Sequence, residues 1–324
     1  MAEAVTGVLT MTNEIHIHMA KLRAKFIRHR AYRELSEQFD VQLGRRRAAL
    51  QLGLAFEVEA IALTGAPGSG KTTAVDYTIS KHKDLILASH EQDVCEVIQF
   101  KMPSPVTLKT VGGALSVALG YDLRRDKSAA LIWQHVRRIL KERKTLFVHL
   151  DELQDIYVSK ADRTRSEVVN TLKSVMNNKD WPVGLILSGT PDLLHMVNAD
   201  RQLQRRVRVI QLSSVSFATH GRDVFELLGK YAQESALSVA SALEEDDFLK
   251  RLIHSAVNEF GQIIDMILCG IEECLLATDT VLEVSHFAEA FRKKAACLPA
   301  FNPFLAQDFL RIDVTRVRDV GEDQ

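Results

Sequence analysis

Eight consecutive residues, Gly65-Ala66-Pro67-Gly68-Ser69-Gly70-Lys71-Thr72, constrain this chain more than any other stretch. Before them runs Ala60-Ile61-Ala62-Leu63-Thr64, a short apolar segment that reads as a buried parallel strand. After them the pattern reads as a helix beginning at Lys71. Strand, glycine-rich turn and helix together match G-x-x-x-x-G-K-[ST], in which backbone N–H groups point inward at phosphate oxygens. The helix N-terminus adds its dipole to the same anion. Gly65 to Thr72, with Thr73 behind them, are therefore the candidate nucleotide-binding residues. Lys71 is expected to reach the β- and γ-phosphates of ATP, and the Thr72 hydroxyl to ligate Mg²⁺.

The rest of the chain supplies partners for that loop. Residues 94–101, 145–150, 183–188 and 207–212 read as further strands, with amphipathic helices between them, over 107–119 and around Ile132, Val136, Ile139 and Leu140. Such alternation predicts an α/β fold of three layers, with a parallel five-stranded sheet between helices. The strand Leu146-Phe147-Val148-His149-Leu150 runs into Asp151-Glu152. In that position Asp151 would bind in the Mg²⁺ shell and Glu152 would polarise the attacking water, so the pair argues for hydrolysis. Ser188-Gly189-Thr190 follows the next strand. Thr190 is the first choice for a contact to the γ-phosphate or the water, although it could equally cap the helix near Pro191. Arg201, Arg205 and Arg206 follow, and an arginine from this cluster could reach a neighbouring subunit's γ-phosphate.

Composition narrows the class further. The 324 residues suggest two folding units at ~150 residues each. Lys and Arg total 41 against 42 Asp and Glu, which excludes a wholly basic nucleic-acid binder but not a local patch. One such patch lies between Lys21 and Arg47, where nine basic residues face three acidic ones. No apolar run approaches the ~18 residues of a membrane span, so no membrane partner and a cytoplasmic location are expected. Cys95, Cys269, Cys274 and Cys297 lack metal-site spacing and read as free thiols, and His16 and His18 alone would under-ligate a metal. The expected organisation is a basic helical extension over 1–54, a nucleotide-binding core over 55–213, a helical region over 214–298 with turns near Gly261 and Gly270, and a tail over 299–324.

The ordered set of Gly65 to Thr72, Asp151-Glu152-Leu153-Gln154, Ser188-Gly189-Thr190-Pro191 and Arg205-Arg206 resembles the AAA+ ATPases of the TniB/TnsC type, regulators of DNA transposition. Further cues are Met102-Pro103-Ser104-Pro105-Val106-Thr107-Leu108-Lys109. The resemblance implies a P-loop AAA+ core with a C-terminal helical lid, and an ATPase that is slow until it oligomerises on DNA. It implies a ring or helical filament on duplex DNA, bound without sequence preference, that links a target-selection factor to a transposase and is dismantled by hydrolysis. The DNA contacts it implies fall on Lys101, Thr107 and Lys109, with the basic N-terminal helix as a second candidate. Arg205 and Arg206 would be the catalytic arginines. One position departs from the pattern: Gly261-Gln262-Ile263-Ile264 has isoleucine where many AAA+ proteins have a lid arginine. Two other readings share the ATP chemistry, a helicase-loader type of ATPase and an ATP-binding signalling switch that leaves DNA alone.

Overall fold

The structure is a computed structural model. It describes residues 2–87, 93–121, 127–158 and 162–316, with side chains from residue 12 onward except at 157, 158, 162 and 163. The chain divides into two compact units, Arg28–Leu212 and a second built from Met1–Ile27 with Ser213–Gln324.

The first unit is organised by five parallel strands, β1 (Ala60–Thr64), β2 (Val97–Lys101), β3 (Phe147–Asp151), β4 (Gly184–Gly189) and β5 (Val207–Gln211), in the order β2-β3-β4-β1-β5. Buried apolar runs account for the centre of the sheet: β1 and β4 are buried at every residue. The edge strands β2 and β5 expose Gln99, Lys101, Arg208 and Gln211. Register aligns Thr64 with Gly189 and Leu150 with Leu187, so the carboxyl ends of β1, β3 and β4 lie side by side. In open parallel sheets that end is where ligands bind. Ile132, Val136, Ile139 and Leu140 occupy one face of the helix Ala129–Glu142 and are all buried.

The N-terminal region differs from the single basic extension expected over 1–54. It forms two helices, α1 (Ala2–Arg23) and α2 (Arg30–Leu52), and the boundary between units falls in the break between them. His29 caps α2, its Nδ1 accepting the Tyr32 N–H at 3.3 Å, and Gly53 ends it with φ 64°, a left-handed turn suited to glycine. Packing explains the division. On α2, Leu35, Phe39 and Leu43 are buried, and the Phe39 ring lies 5.1 Å from that of Phe147 on β3. Two of its three consecutive arginines are also structural. Arg46 is buried with its guanidinium 5.2 Å from the Trp181 ring, and Arg47 pairs with Glu96 at 2.7 Å. On α1, by contrast, Met19 and Leu22 are buried in the core of the second unit.

That second unit gathers the helices Phe217–Glu234, Asp246–Ser255, Phe260–Leu276 and Val284–Ala295 around Leu228, Leu252, Ile267, Ile271 and Phe287. A two-stranded parallel ladder, Ser238–Val239 with Val281–Leu282, interrupts the expected all-helical region. The turn expected near Gly261 falls just before it, at residues 256–258, whereas Gly270 marks no turn; both glycines lie within the helix Phe260–Leu276. Gly270 is there for close approach, since a Cβ would sit 2.7 Å from the Phe287 ring. Ile264, at the departing lid position, packs half-buried against the same core. The expected tail is docked as far as it is described. Phe304, Phe309 and Ile312 are buried, Asn302 donates to the Ala288 carbonyl at 2.7 Å, and Arg251 donates to the carbonyls of Pro303 and Ala306 at 2.6 Å. Residues 317–324 lie outside the described residues.

His16 lies 3.9 Å from Glu272 and His18 bonds Ser235 at 3.0 Å, so both serve the docking of α1. All four cysteines are free thiols. Among the described residues no helix is long and apolar enough to cross a membrane.

Because Leu22 on α1 is almost wholly enclosed, Leu22→Ala should destabilise the second unit by about 2–5 kcal/mol. Amide exchange within Phe260–Leu276 should accelerate, while amides of β1 and β4 keep their protection. Unchanged exchange in that helix would show that α1 is dispensable to it.

Candidate nucleotide site

The loop from Gly65 to Gly70 leaves β1 and turns directly into α3 (Lys71–Lys81). Gly68 and Gly70 have φ of 78° and 97°, conformations that side chains resist. Gly65 is held open for a different reason, since a Cβ there would meet the Ser69 Oγ at 2.7 Å. Lys71 Nζ folds back and donates to the carbonyls of Gly65 and Ala66, both at 2.8 Å. Lys71 also opens α3, and the first-turn N–H groups of a helix have no intrahelical acceptor. The Ser69 Oγ is buried and has no hydrogen-bond partner among the described residues. An unpartnered donor, helix amides and a lysine at one turn fit an anion such as a nucleotide's phosphates. Thr73 is exposed on the first turn of α3.

Thr72 joins this loop to β3. Its hydroxyl donates to Asp151 Oδ2 at 2.8 Å, although the two residues are 79 positions apart. Two adjacent hard oxygen donors fit Mg²⁺, whose coordination demands oxygen ligands. The other carboxylate oxygen, Oδ1, accepts the Ser188 hydroxyl at 2.5 Å and the Glu152 N–H at 3.0 Å. Burial works against ionisation of Asp151. The hydroxyls of Ser188 and Thr72, His149 nearby and the Glu152 amide outweigh it, holding the carboxyl below its ordinary range. Asp151 is thus kept as an anion ready for a cation.

Ser188, rather than Thr190, is the β4 side chain that touches Asp151. A hydrogen-bonded path runs behind it from buried to exposed residues: Ser188 Oγ to His149 Nε2 at 2.7 Å, His149 Nδ1 to Gln99 Nε2 at 3.3 Å, and Gln99 Nε2 to Asp76 at 2.8 Å, with Gln99 and Asp76 exposed. The donors fix the tautomer. Ser188 gives its one proton to Asp151, so Nε2 must carry hydrogen, and Nδ1 must accept from Gln99. Desolvation lowers the imidazole to a pKa of about 4 against the pull of Asp151 and Asp76, so the ring is neutral at pH 7. The sequence does signal both residues, because His149 and Ser188 are polar positions in otherwise apolar buried strands and need partners.

Glu152 sits half-buried beside Asp151 with φ 56°, a left-handed conformation rare for glutamate. Thr190 lies at the end of β4, its hydroxyl donating to Asp192 at 3.1 Å. It does not cap the next helix, Leu193–Ala199, whose N-cap position is Asp192. The arginines separate clearly. The helix Arg201–Arg206 is pinned at its start by Asp200, which accepts from the amides of Gln202 and Leu203 and pairs with Lys173 at 2.5 Å. At its end Arg206 is tied to Asn177 and Glu57, whereas Arg201 and Arg205 are exposed and have no partner among the described residues. The implied DNA residues share one connection: Lys101 ends β2, exposed, in register with Asp151; Thr107 caps the helix Leu108–Ala118 through the Thr110 N–H at 3.1 Å; Lys109 is exposed in that helix's first turn.

A family model for the bacterial TniB protein matches residues 23–217, more than half of the chain. The chain belongs to the TniB family. No curated protein matches it in sequence. Solved structures with this fold include the ORC2 protein of Aeropyrum pernix, in its ADPNP-ADP complexes, at 16% identity and TM-score 0.58, covering 86% of this chain and 74% of that one. The ORC1 protein of the same organism, in complex with DNA, aligns at 13% identity and TM-score 0.57 over 83% of this chain and 66% of that one. The Cdc6 protein of Pyrobaculum aerophilum aligns at 15% and 0.54 over 82% and 68%. The TniB-family chain therefore has the AAA+ ATPase fold, and family and fold together support nucleotide binding and hydrolysis in general.

A histidine buried neutral makes folding pH-dependent in one direction. Between the ordinary value of 6.5 and about 4 the unfolded chain binds the proton and the folded chain does not, so stability falls as pH falls. His149→Gln, which can donate and accept at the same place, should remove up to about 3 kcal/mol of that loss. Denaturant unfolding at pH 7 and pH 4.5 checks this; identical pH dependence in both proteins would disprove it.

Proposed function

We propose that this TniB-family chain is an ATP-dependent regulator of DNA transposition. It oligomerises on duplex DNA, links a target-selection factor to a transposase, and is released by ATP hydrolysis. The observation that carries the reading is the convergence of Lys71, Thr72, Asp151 and Glu152 at the carboxyl ends of neighbouring strands in a chain of this family. The structure of a similarly folded protein in complex with DNA supports a DNA client.

In this reading Gly65 to Thr73 bind the ATP phosphates. Lys71 exchanges its two carbonyl acceptors for phosphate oxygens, and Thr72 and Asp151 hold Mg²⁺. Bound Mg²⁺ neutralises charge on the phosphates. Glu152 orients the attacking water and takes up its proton, and Thr190 and Ser188 line the end of β4 beside it. Arg205 is the better candidate for the arginine donated to a neighbouring subunit, because Arg206 is already committed to Asn177 and Glu57. Lys101 and Lys109 supply phosphate contacts to DNA, which give affinity without reading sequence. Thr107 acts there by fixing the start of the helix that carries Lys109. A neutral chain suffices, since assembly repeats this pair along the duplex.

Sedimentation with random-sequence duplex, in ATPγS, ADP or no nucleotide, tests the reading. Large DNA-bound assemblies are expected with ATPγS only, and two phosphate contacts per subunit should weaken each by about tenfold between 50 and 200 mM salt. Lys101→Ala and Lys109→Ala should each flatten that salt dependence. Glu152→Gln should bind ATP, lose turnover by about a hundredfold or more, and remain on DNA. Monomers indifferent to DNA in every nucleotide state would leave the signalling-switch reading instead.

A further inference from the structure

Two sequence cues, Asp-Glu-x-Gln after β3 and Ser-Gly-Thr-Pro after β4, meet in a single contact. Beyond Glu152 the Leu153 N–H bonds the Ser188 carbonyl at 3.0 Å, which draws the turn across the end of β4. The Gln154 side chain then lies over Gly189. Its Oε1 accepts the Thr190 N–H at 3.0 Å, and its Nε2 donates to Glu152 Oε2. Gly189 makes room for it, since a Cβ there would stand 2.6 Å from Gln154 Oε1.

We infer that Gln154 is a positioning residue for Glu152, tying the catalytic carboxylate to the backbone of Thr190 across the gap that Gly189 leaves. The inference rests on the proposal that Glu152 serves water attack. The chemistry admits glutamine alone among side chains of this length. A carboxylate can only accept and a backbone N–H can only donate, so the bridging group must present a donor to one and an acceptor to the other. That requirement also fixes which end of the amide faces which partner. Donation to Oε2 limits rotation of the carboxylate, while the other oxygen of Glu152 keeps its lone pairs for a water. Glu152 sits on a left-handed turn, and Gln154 holds one of its carboxylate oxygens, so loss of the amide frees the side chain where placement matters most.

The test is steady-state ATP hydrolysis by the full-length protein, with and without duplex DNA, alongside affinity for a fluorescent ATPγS analogue. Gln154→Leu should cut kcat by about ten- to a hundredfold with KM and analogue affinity within about twofold of the parent. Gln154→Glu separates anchoring from positioning. It can still accept the Thr190 N–H but cannot donate to Glu152, so it should fall with Gln154→Leu. Gly189→Ala, which displaces Gln154 without altering it, should reproduce the loss and serves where a Gln154 variant fails to fold. In a Glu152→Gln background, Gln154→Leu should add nothing. Parent-like kcat in Gln154→Glu, or in both Gln154→Leu and Gly189→Ala, would overturn the inference. An inactive parent that binds the analogue would instead overturn the hydrolytic reading on which it rests.

Discussion

β4 pairs with β1 on one side and β3 on the other, and that double pairing places the chemistry of the nucleotide-binding unit. Without β4 between them, the phosphate loop after β1 and the carboxylates after β3 would have no common reference. With it, Thr64, Gly189 and the end of β3 are locked by parallel hydrogen bonds, and Thr72 reaches Asp151 across 79 positions of chain. The arrangement also makes the end of β4 the natural place for groups that must touch both sides. Ser188 bonds Asp151, and the Thr190 amide is held by Gln154.

Buried polar side chains are costly unless they are satisfied, and two members of the path behind Asp151, His149 and Ser188, are buried. Here satisfaction and function coincide. Asp76, Gln99, His149 and Ser188 each give or accept what the next requires, and the path ends on Asp151. Its neutral imidazole can hold Ser188 without adding a charge that would compete with a cation for Asp151. Apolar replacements at 149 and 188 would pack a sheet as well, but would leave Asp151 with fewer fixed donors.

Much of this was legible in the sequence because the signals are local. A glycine-rich turn after an apolar run, and a strand ending in Asp-Glu, carry their geometry with them, so the phosphate loop and the five parallel strands follow from spacing. What was not legible depends on partners distant in the chain. The basic stretch from Lys21 to Arg47 looks continuous, yet Leu22 and Phe39 are buried in different units and the helix breaks between them. Gly270 resembles a helix stop until Phe287 is seen packed against it. Thr190 stood out because it follows the strand, whereas the contact of buried Ser188 to Asp151 on β3 needs the register of the two strands to be seen. Gln154 was visible only as a family mark, since its partners Thr190 and Gly189 lie across the sheet.

The arginines show how local pairing can assign roles that spacing leaves open. Arg201, Arg205 and Arg206 share one short helix whose start is fixed by Asp200 and Lys173. The environment then sorts the three arginines. Arg206 spends its guanidinium on Asn177 and Glu57 and thereby anchors the helix end, which is a structural task. Arg205, one residue earlier and exposed, is carried on that anchored turn with its donors uncommitted among the described residues. A cation meant for a phosphate on another subunit needs both properties, a backbone that does not move and a head group that no neighbour in its own chain has already neutralised. On the proposed reading, the same helix would provide both the anchor, Arg206, and the donor, Arg205.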